Sequence, residues 1–97
     1  MELLKLHYTF NKNVIFKDRG DMLMAYNQES SDMYEFNSVG ADIFKLLYSE
    51  KDMNEIFKQL NKEYNTKTED IYDDVKQIIE RLIDLKVIIV KEEKNEQ

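Results

Sequence analysis

The chain of 97 residues is 42% hydrophobic and 35% charged, has a formal net charge of −6, and contains neither cysteine nor proline. That length supports one domain with a single core, and the absence of cysteine excludes disulfides, thiolate catalysis and an iron–sulfur cluster held by this chain alone. The acidic balance opposes phosphate backbones, which are bound through clustered Lys and Arg, and favours a basic or apolar partner.

Residues 1–10 alternate, with Leu4, Leu6, Tyr8 and Phe10 on one side and Lys5, His7 and Thr9 on the other, which predicts a strand. His7 is the single histidine and has no partners at zinc-ligand spacing, so it reads as solvated strand surface. The opening Met-Glu-Leu-Leu-Lys-Leu is too short and too charged for a signal peptide, and no apolar run is long enough to cross a membrane; a cytoplasmic protein is expected. The apolar face of the first strand has to be covered. It pairs with the domain's own sheet, fills a binding groove, or crosses to a second copy, so the chain is expected to be a monomer or a strand-swapped dimer.

Asn11-Lys12-Asn13 breaks the run, and Val14 to Lys17 reads as a second strand. Arg19-Gly20 supplies a turn. Met22 to Tyr26 makes the next strand, the polar run Asn27 to Asp32 its loop, and Met33 to Phe36 the returning strand. From Val39 the period changes to 3.6. Asn37-Ser38 offers caps for a first helix ending near Ser49. Asp52 with Glu55 forms a capping box for a second, in which Met53, Ile56, Phe57, Leu60 and Tyr64 share one face. Thr66 with Glu69 is expected to cap a third, over about Thr68 to Leu85. Val87 to Val90 is β-branched and reads as a last short strand or packed extension. Lys91 to Gln97 is a charged tail expected to lack structure. The prediction is therefore one α+β domain over residues 1–90 with a tail at 91–97: an N-terminal antiparallel meander of three to four strands followed by three helices, a winged helix-turn-helix.

The strand-to-helix junction carries a further signal. Phe36-Asn37, Gly40-Ala41, Ile43 and Leu46-Leu47, then Asn54-Glu-Ile56 with Leu60 and Tyr64, then Asp74-Val75 with Ile79 and Leu82, resemble in order the PqqD family, small domains also known as RiPP precursor-peptide recognition elements. The resemblance spans about Val14 to Val90. It departs at two turns: Ser49-Glu50 stands where many members have Asp-Gly, and Lys86 where they have Gly.

On the third helix Ile71, Val75, Ile78, Leu82 and Leu85 form one apolar stripe, and Tyr72, Ile79 and Ile83 a second beside it. Together they span roughly 160°, wider than an amphipathic helix needs. The resemblance implies that a leader peptide enters a groove between this helix and the last meander strand as an added strand. The corresponding residues are Met33, Tyr34 and Glu35 on the strand and Tyr72, Lys76, Ile79 and Ile83 on the helix, with Lys76 placed to meet an acidic leader residue. The plainer alternative makes Tyr72, Ile79 and Ile83 core beneath the N-terminal strand.

No pair of carboxylates is placed as acid and base, and two glycines are too few for a phosphate loop. The expected function is a non-catalytic adaptor, without cofactor or metal, that delivers a precursor peptide to a maturation enzyme. By resemblance that enzyme is a radical SAM protein, a leader peptidase or a cyclase. Nucleic acid and membrane are not expected partners. The competing readings are a winged-helix DNA-binding regulator, opposed by the acids Glu69, Asp70, Asp73, Asp74, Glu80 and Asp84 on the third helix, and an interaction subunit that binds no leader.

Overall fold

The structure is a computed structural model that describes residues 2–49 and 51–91; the expected tail beyond Lys91 and the Glu50 position of the Ser49-Glu50 turn lie outside the described residues. Strands β1 (Tyr8–Phe10), β2 (Val14–Asp18), β3 (Leu23–Asn27) and β4 (Met33–Phe36) precede helices α1 (Ser38–Tyr48), α2 (Met53–Tyr64) and α3 (Thr68–Asp84), and β5 (Ile88–Val90) closes the order. The α+β winged helix-turn-helix prediction holds, with one change of topology. The meander is β2-β3-β4, whereas β1 pairs with β5 in a separate antiparallel ribbon, Tyr8 opposite Val90 and Phe10 opposite Ile88.

The N-terminal alternation is the largest departure from expectation. Leu3–Lys5 is a 3₁₀ turn, and only Tyr8–Phe10 is strand. In a three-residue-per-turn segment Leu3 and Leu6 share a face; both are buried and Leu4 is exposed. The first apolar run therefore covers the helices as a turn, and β1 stays with its own chain.

Local chemistry fixes the helix ends. The Asn37 side chain accepts from the Gly40 N–H at 3.0 Å and that of Asp52 from the Glu55 N–H at 2.9 Å, as N-caps do. The Thr66 capping box does not form. The N-cap of α3 is Lys67, without a side-chain bond, because Thr66 is drawn back onto α2 by its N–H to the Asn61 carbonyl. Asn65, at φ 52°, provides the left-handed turn that ends α2. The end of α3 is a Schellman motif: the Val87 N–H reaches the Leu82 carbonyl, the Lys86 N–H reaches that of Ile83, and Lys86 adopts φ 62°. Buried Asn11 ties this corner to the β1–β2 link, its Nδ2 donating to the Lys86 carbonyl at 2.7 Å and its backbone N–H to that of Val87 at 2.9 Å.

One core joins sheet and helices. Phe44 and Leu47 of α1, Ile56 and Phe57 of α2, Val75, Ile79 and Leu82 of α3, and Leu3 and Leu23 are essentially buried. Phe44 meets Phe10 and Phe16 edge-to-face at centroid distances of 5.1 and 5.0 Å, an arrangement favourable to aromatic quadrupoles. Gly40 lets α1 approach β4: a Cβ there would lie 3.2 Å from the Phe36 Cβ. That contact places the start of α1 against the end of β4, next to the open edge described below.

Candidate functional site

In the order β2-β3-β4, the outer side of β4 has no strand partner among the described residues. The antiparallel ladder decides which groups face outward. The Asn27 N–H donates to the Asp32 carbonyl at 2.9 Å, and pairs in such a ladder alternate between bonded and non-bonded. Tyr34 opposite Ala25 and Phe36 opposite Leu23 are then turned to β3. The N–H and C=O of Met33 and Glu35 point to the open side, a template for another strand.

Side chains alternate independently of those backbone groups. Met33 and Glu35 are exposed on the outer face of the sheet, whereas Phe36 is buried and Tyr34 half-buried toward α3. The Tyr34 hydroxyl donates to the Leu85 carbonyl at 3.3 Å, tying the edge strand to the end of the helix. Burial first, and the Asp32 charge second, push the Tyr34 phenol above its ordinary pKa. Farther along, a cavity of about 190 Å³ lies between Glu35, Phe36, Asn37 and Gly40 on one side and Ile78 and Arg81 on the other. β4 and α3 thus form two walls of a groove, one offering main-chain donors and acceptors, the other apolar surface with a guanidinium.

The helix wall is not the one expected. Met33, Tyr34 and Glu35 lie on the strand as predicted, but Tyr72, Lys76, Ile79 and Ile83 share a different face of α3 from the groove residues Ile78, Arg81 and Leu85. Tyr72 stacks on Phe57 of α2 at 5.8 Å, and its hydroxyl accepts from the Leu3 N–H at 3.2 Å. Ile79 has 0% exposure, while Lys76 and Ile83 are half-buried. The N-terminal turn covers this side, so the plainer reading describes Tyr72 and Ile79 correctly. Both apolar stripes of α3 are present, and the flank that carries Ile78 and Leu85 is the one beside β4. Ile78, Arg81 and Leu85 centre roughly 150° around the helix from the expected residues at about 100° per residue, and no local signal distinguishes the flank facing β4 from the flank facing Leu3.

The site offers main-chain donors and acceptors on β4 and apolar surface on α3. Among the described residues no group of three His, Cys, Asp or Glu side chains is placed to hold a metal ion, and no helix is long and apolar enough to cross a membrane. The acids Glu69, Asp70, Asp73, Asp74, Glu80 and Asp84 of α3 are exposed, an unfavourable surface for a DNA backbone.

A winged helix-turn-helix with an open strand edge beside its third helix is the class that the fold and site define. The family model for coenzyme PQQ synthesis protein D (PqqD) matches residues 23–88, and the chain belongs to that family. The match takes in β3, β4, the three helices and the start of β5; β1 and β2 lie outside it. Among solved structures, the chain is similar to TbiB1, determined in complex with the TbiA(beta) leader peptide. The TM-score is 0.76 at 16% identity, over 89% of this chain and 98% of that one, and this likeness establishes a shared fold. No curated protein matches the chain.

Proposed function

We propose that the chain is a non-catalytic adaptor that binds the leader of a ribosomally synthesised precursor peptide as an added strand on β4 and presents it to a modifying enzyme. The observation that carries this reading is the open β4 edge, with the outward N–H and C=O of Met33 and Glu35 running beside Ile78, Arg81 and Leu85. Main-chain bonds hold an extended peptide of any sequence, and the helix wall chooses among sequences. Arg81, exposed at the groove, replaces Lys76 as the cation for an acidic leader residue. The family and the leader-bound structure of TbiB1 support the same role.

Such a protein acts by proximity. Holding the leader while touching the enzyme turns an encounter between dilute molecules into one at about millimolar effective concentration. A radical SAM protein, a leader peptidase or a cyclase is the proposed partner, and the cytoplasm the proposed location. The pairing of β1 with β5 of the same chain favours a monomer over a strand swap.

Calorimetry with synthetic leaders from precursor genes adjacent to the gene for this chain tests the proposal. A dissociation constant between roughly micromolar and nanomolar is expected. Absence of heat with every adjacent leader, together with retardation of a DNA duplex at moderate salt, would replace the adaptor with a regulator.

A further inference from the structure

The groove beside β4 does not end where β4 ends. Ile78 lines both the small cavity next to Arg81 and a larger open one of about 310 Å³ bounded by α1, α2, α3 and the link between the last two. Its apolar walls include Val39, Ile71 and Ile78, and its polar margin Tyr64, Thr66 and Asp74. Val39 is 42% exposed on the first turn of α1, an apolar side chain facing open space beside the groove. The Tyr64 hydroxyl donates to the Asp42 carboxylate, which fixes its ring at the margin. Asp74 and Arg81 carry no ion pair among the described residues.

The two charges stand in a fixed order. Arg81 and Asp74 are seven residues apart on one face of α3, about 10 Å at 1.5 Å per residue. That is the span of about three residues of extended peptide. A chain lying along the groove therefore meets a guanidinium where it leaves β4 and, about three residues on, an apolar chamber with a carboxylate at its mouth. An empty apolar chamber forgoes dispersion contacts that a bulky side chain would supply. The carboxylate favours an occupant ending in a hydrogen-bond donor and repels an acid.

We propose that this chamber between the three helices is the anchor subsite of the leader site. It takes a bulky, donor-tipped side chain (Tyr, Trp, or Lys or Arg laid along its aliphatic stem) three or four positions from an acid held by Arg81. The inference rests on the strand-addition reading and adds the specificity that an open strand edge cannot supply. Continuity through Ile78 and the Arg81-to-Asp74 charge order identify the occupant as part of the same peptide.

The probe is a displayed library of random twelve-residue peptides, panned against the whole chain and against two variants. Val39→Trp plugs the mouth from an exposed position and introduces the chain's single tryptophan, whose emission reports its burial. Asp74→Lys reverses the charge at the margin from another exposed position. Peptides enriched on the parent protein should pair an acid with a donor-tipped bulky residue at the stated spacing, and their synthetic forms should bind Val39→Trp at least tenfold more weakly. Panning on Asp74→Lys should replace the donor-tipped residue with Asp, Glu or a plain apolar residue. Peptides that slow amide exchange at Met33 and Glu35 yet bind both variants as they bind the parent would overturn the anchor and leave strand addition standing. Enrichment of no peptide that protects β4 would overturn both.

Discussion

Replacing Lys86 tests the structure at the corner between α3 and β5. Lys86 occupies the left-handed position of a Schellman motif at φ 62°, where its Cβ crowds the backbone. That conformation costs a residue other than Gly or Asn about 1–2 kcal/mol, while glycine adds about 0.5–1 kcal/mol of unfolded-state freedom to be lost on folding. The lysine charge beside the helix C-terminus contributes a few tenths of a kcal/mol, which any uncharged replacement loses. Comparing Lys86→Gly with Lys86→Ala removes the charge from the difference. Gly should then be the more stable of the two by about 0.5–1 kcal/mol, about 2–8 °C in melting temperature for a domain of this size. Inside a helix the order is reversed, with Ala ahead by about 1 kcal/mol. The side chain is exposed and the Lys86 carbonyl still accepts from Asn11, so no other interaction changes. Thermal and urea unfolding of the pair, with a check that the urea slope is unchanged, give the result. An alanine variant as stable as the glycine variant would refute the left-handed assignment and, with it, the turn that brings β5 onto β1.

Leu3→Ala should cost about 2–5 kcal/mol as a buried large-to-small change, and Leu4→Ala no more than a few tenths; the reverse order in urea unfolding would restore an alternating N-terminal strand. Gly40→Ala should destabilise by about 1 kcal/mol despite the better helix propensity of alanine, because its Cβ would press on the Phe36 Cβ at 3.2 Å; a gain in melting temperature would mean that β4 yields there. The Asp42 hydrogen bond, first, and burial push the Tyr64 phenol up to about 12. A folded-state pKa above the unfolded value of about 10 gives stability that is complete below pH 10 and disappears as pH rises toward 12. Tyr64→Phe should therefore flatten the alkaline limb of the stability profile, and the phenolate absorbance step that the variant loses should lie near pH 12.

Much of the fold is legible in the sequence because its signals are local. Asn37 and Asp52 cap as their positions imply, since capping needs only a short polar side chain three residues before a free N–H. Val14 to Phe36 reads as a meander because turns join neighbouring strands in the chain. The largest departures are matters of distant contact. The alternation from Leu4 to Phe10 fits a strand equally well, and only the helices on which Leu3 and Leu6 pack decide for a 3₁₀ turn. The pairing of β1 with β5 joins residues about eighty positions apart. Thr66 and Glu69 match a capping box in type and spacing, yet the backbone bond from Thr66 to Asn61 ends α2 there first. The same cause moved the candidate site around α3. Ile79 sits between two apolar flanks, and the periodicity of one helix cannot say which flank meets β4. Ile79→Asp is consequently expected to unfold the protein, as Val75→Asp and Leu82→Asp are, because each would bury an unpaired charge.

The central claim is that a leader peptide adds as a strand to β4, and residue-resolved amide exchange with and without an adjacent leader tests it most directly. Strand addition predicts that the amides of Met33 and Glu35, turned outward in the free protein, slow on binding, while the already paired amides of Tyr34 and Phe36 change little. Slowing confined to β2, to the acidic face of α3 or to the N-terminal turn, with Met33 and Glu35 unaltered at saturating peptide, would contradict it.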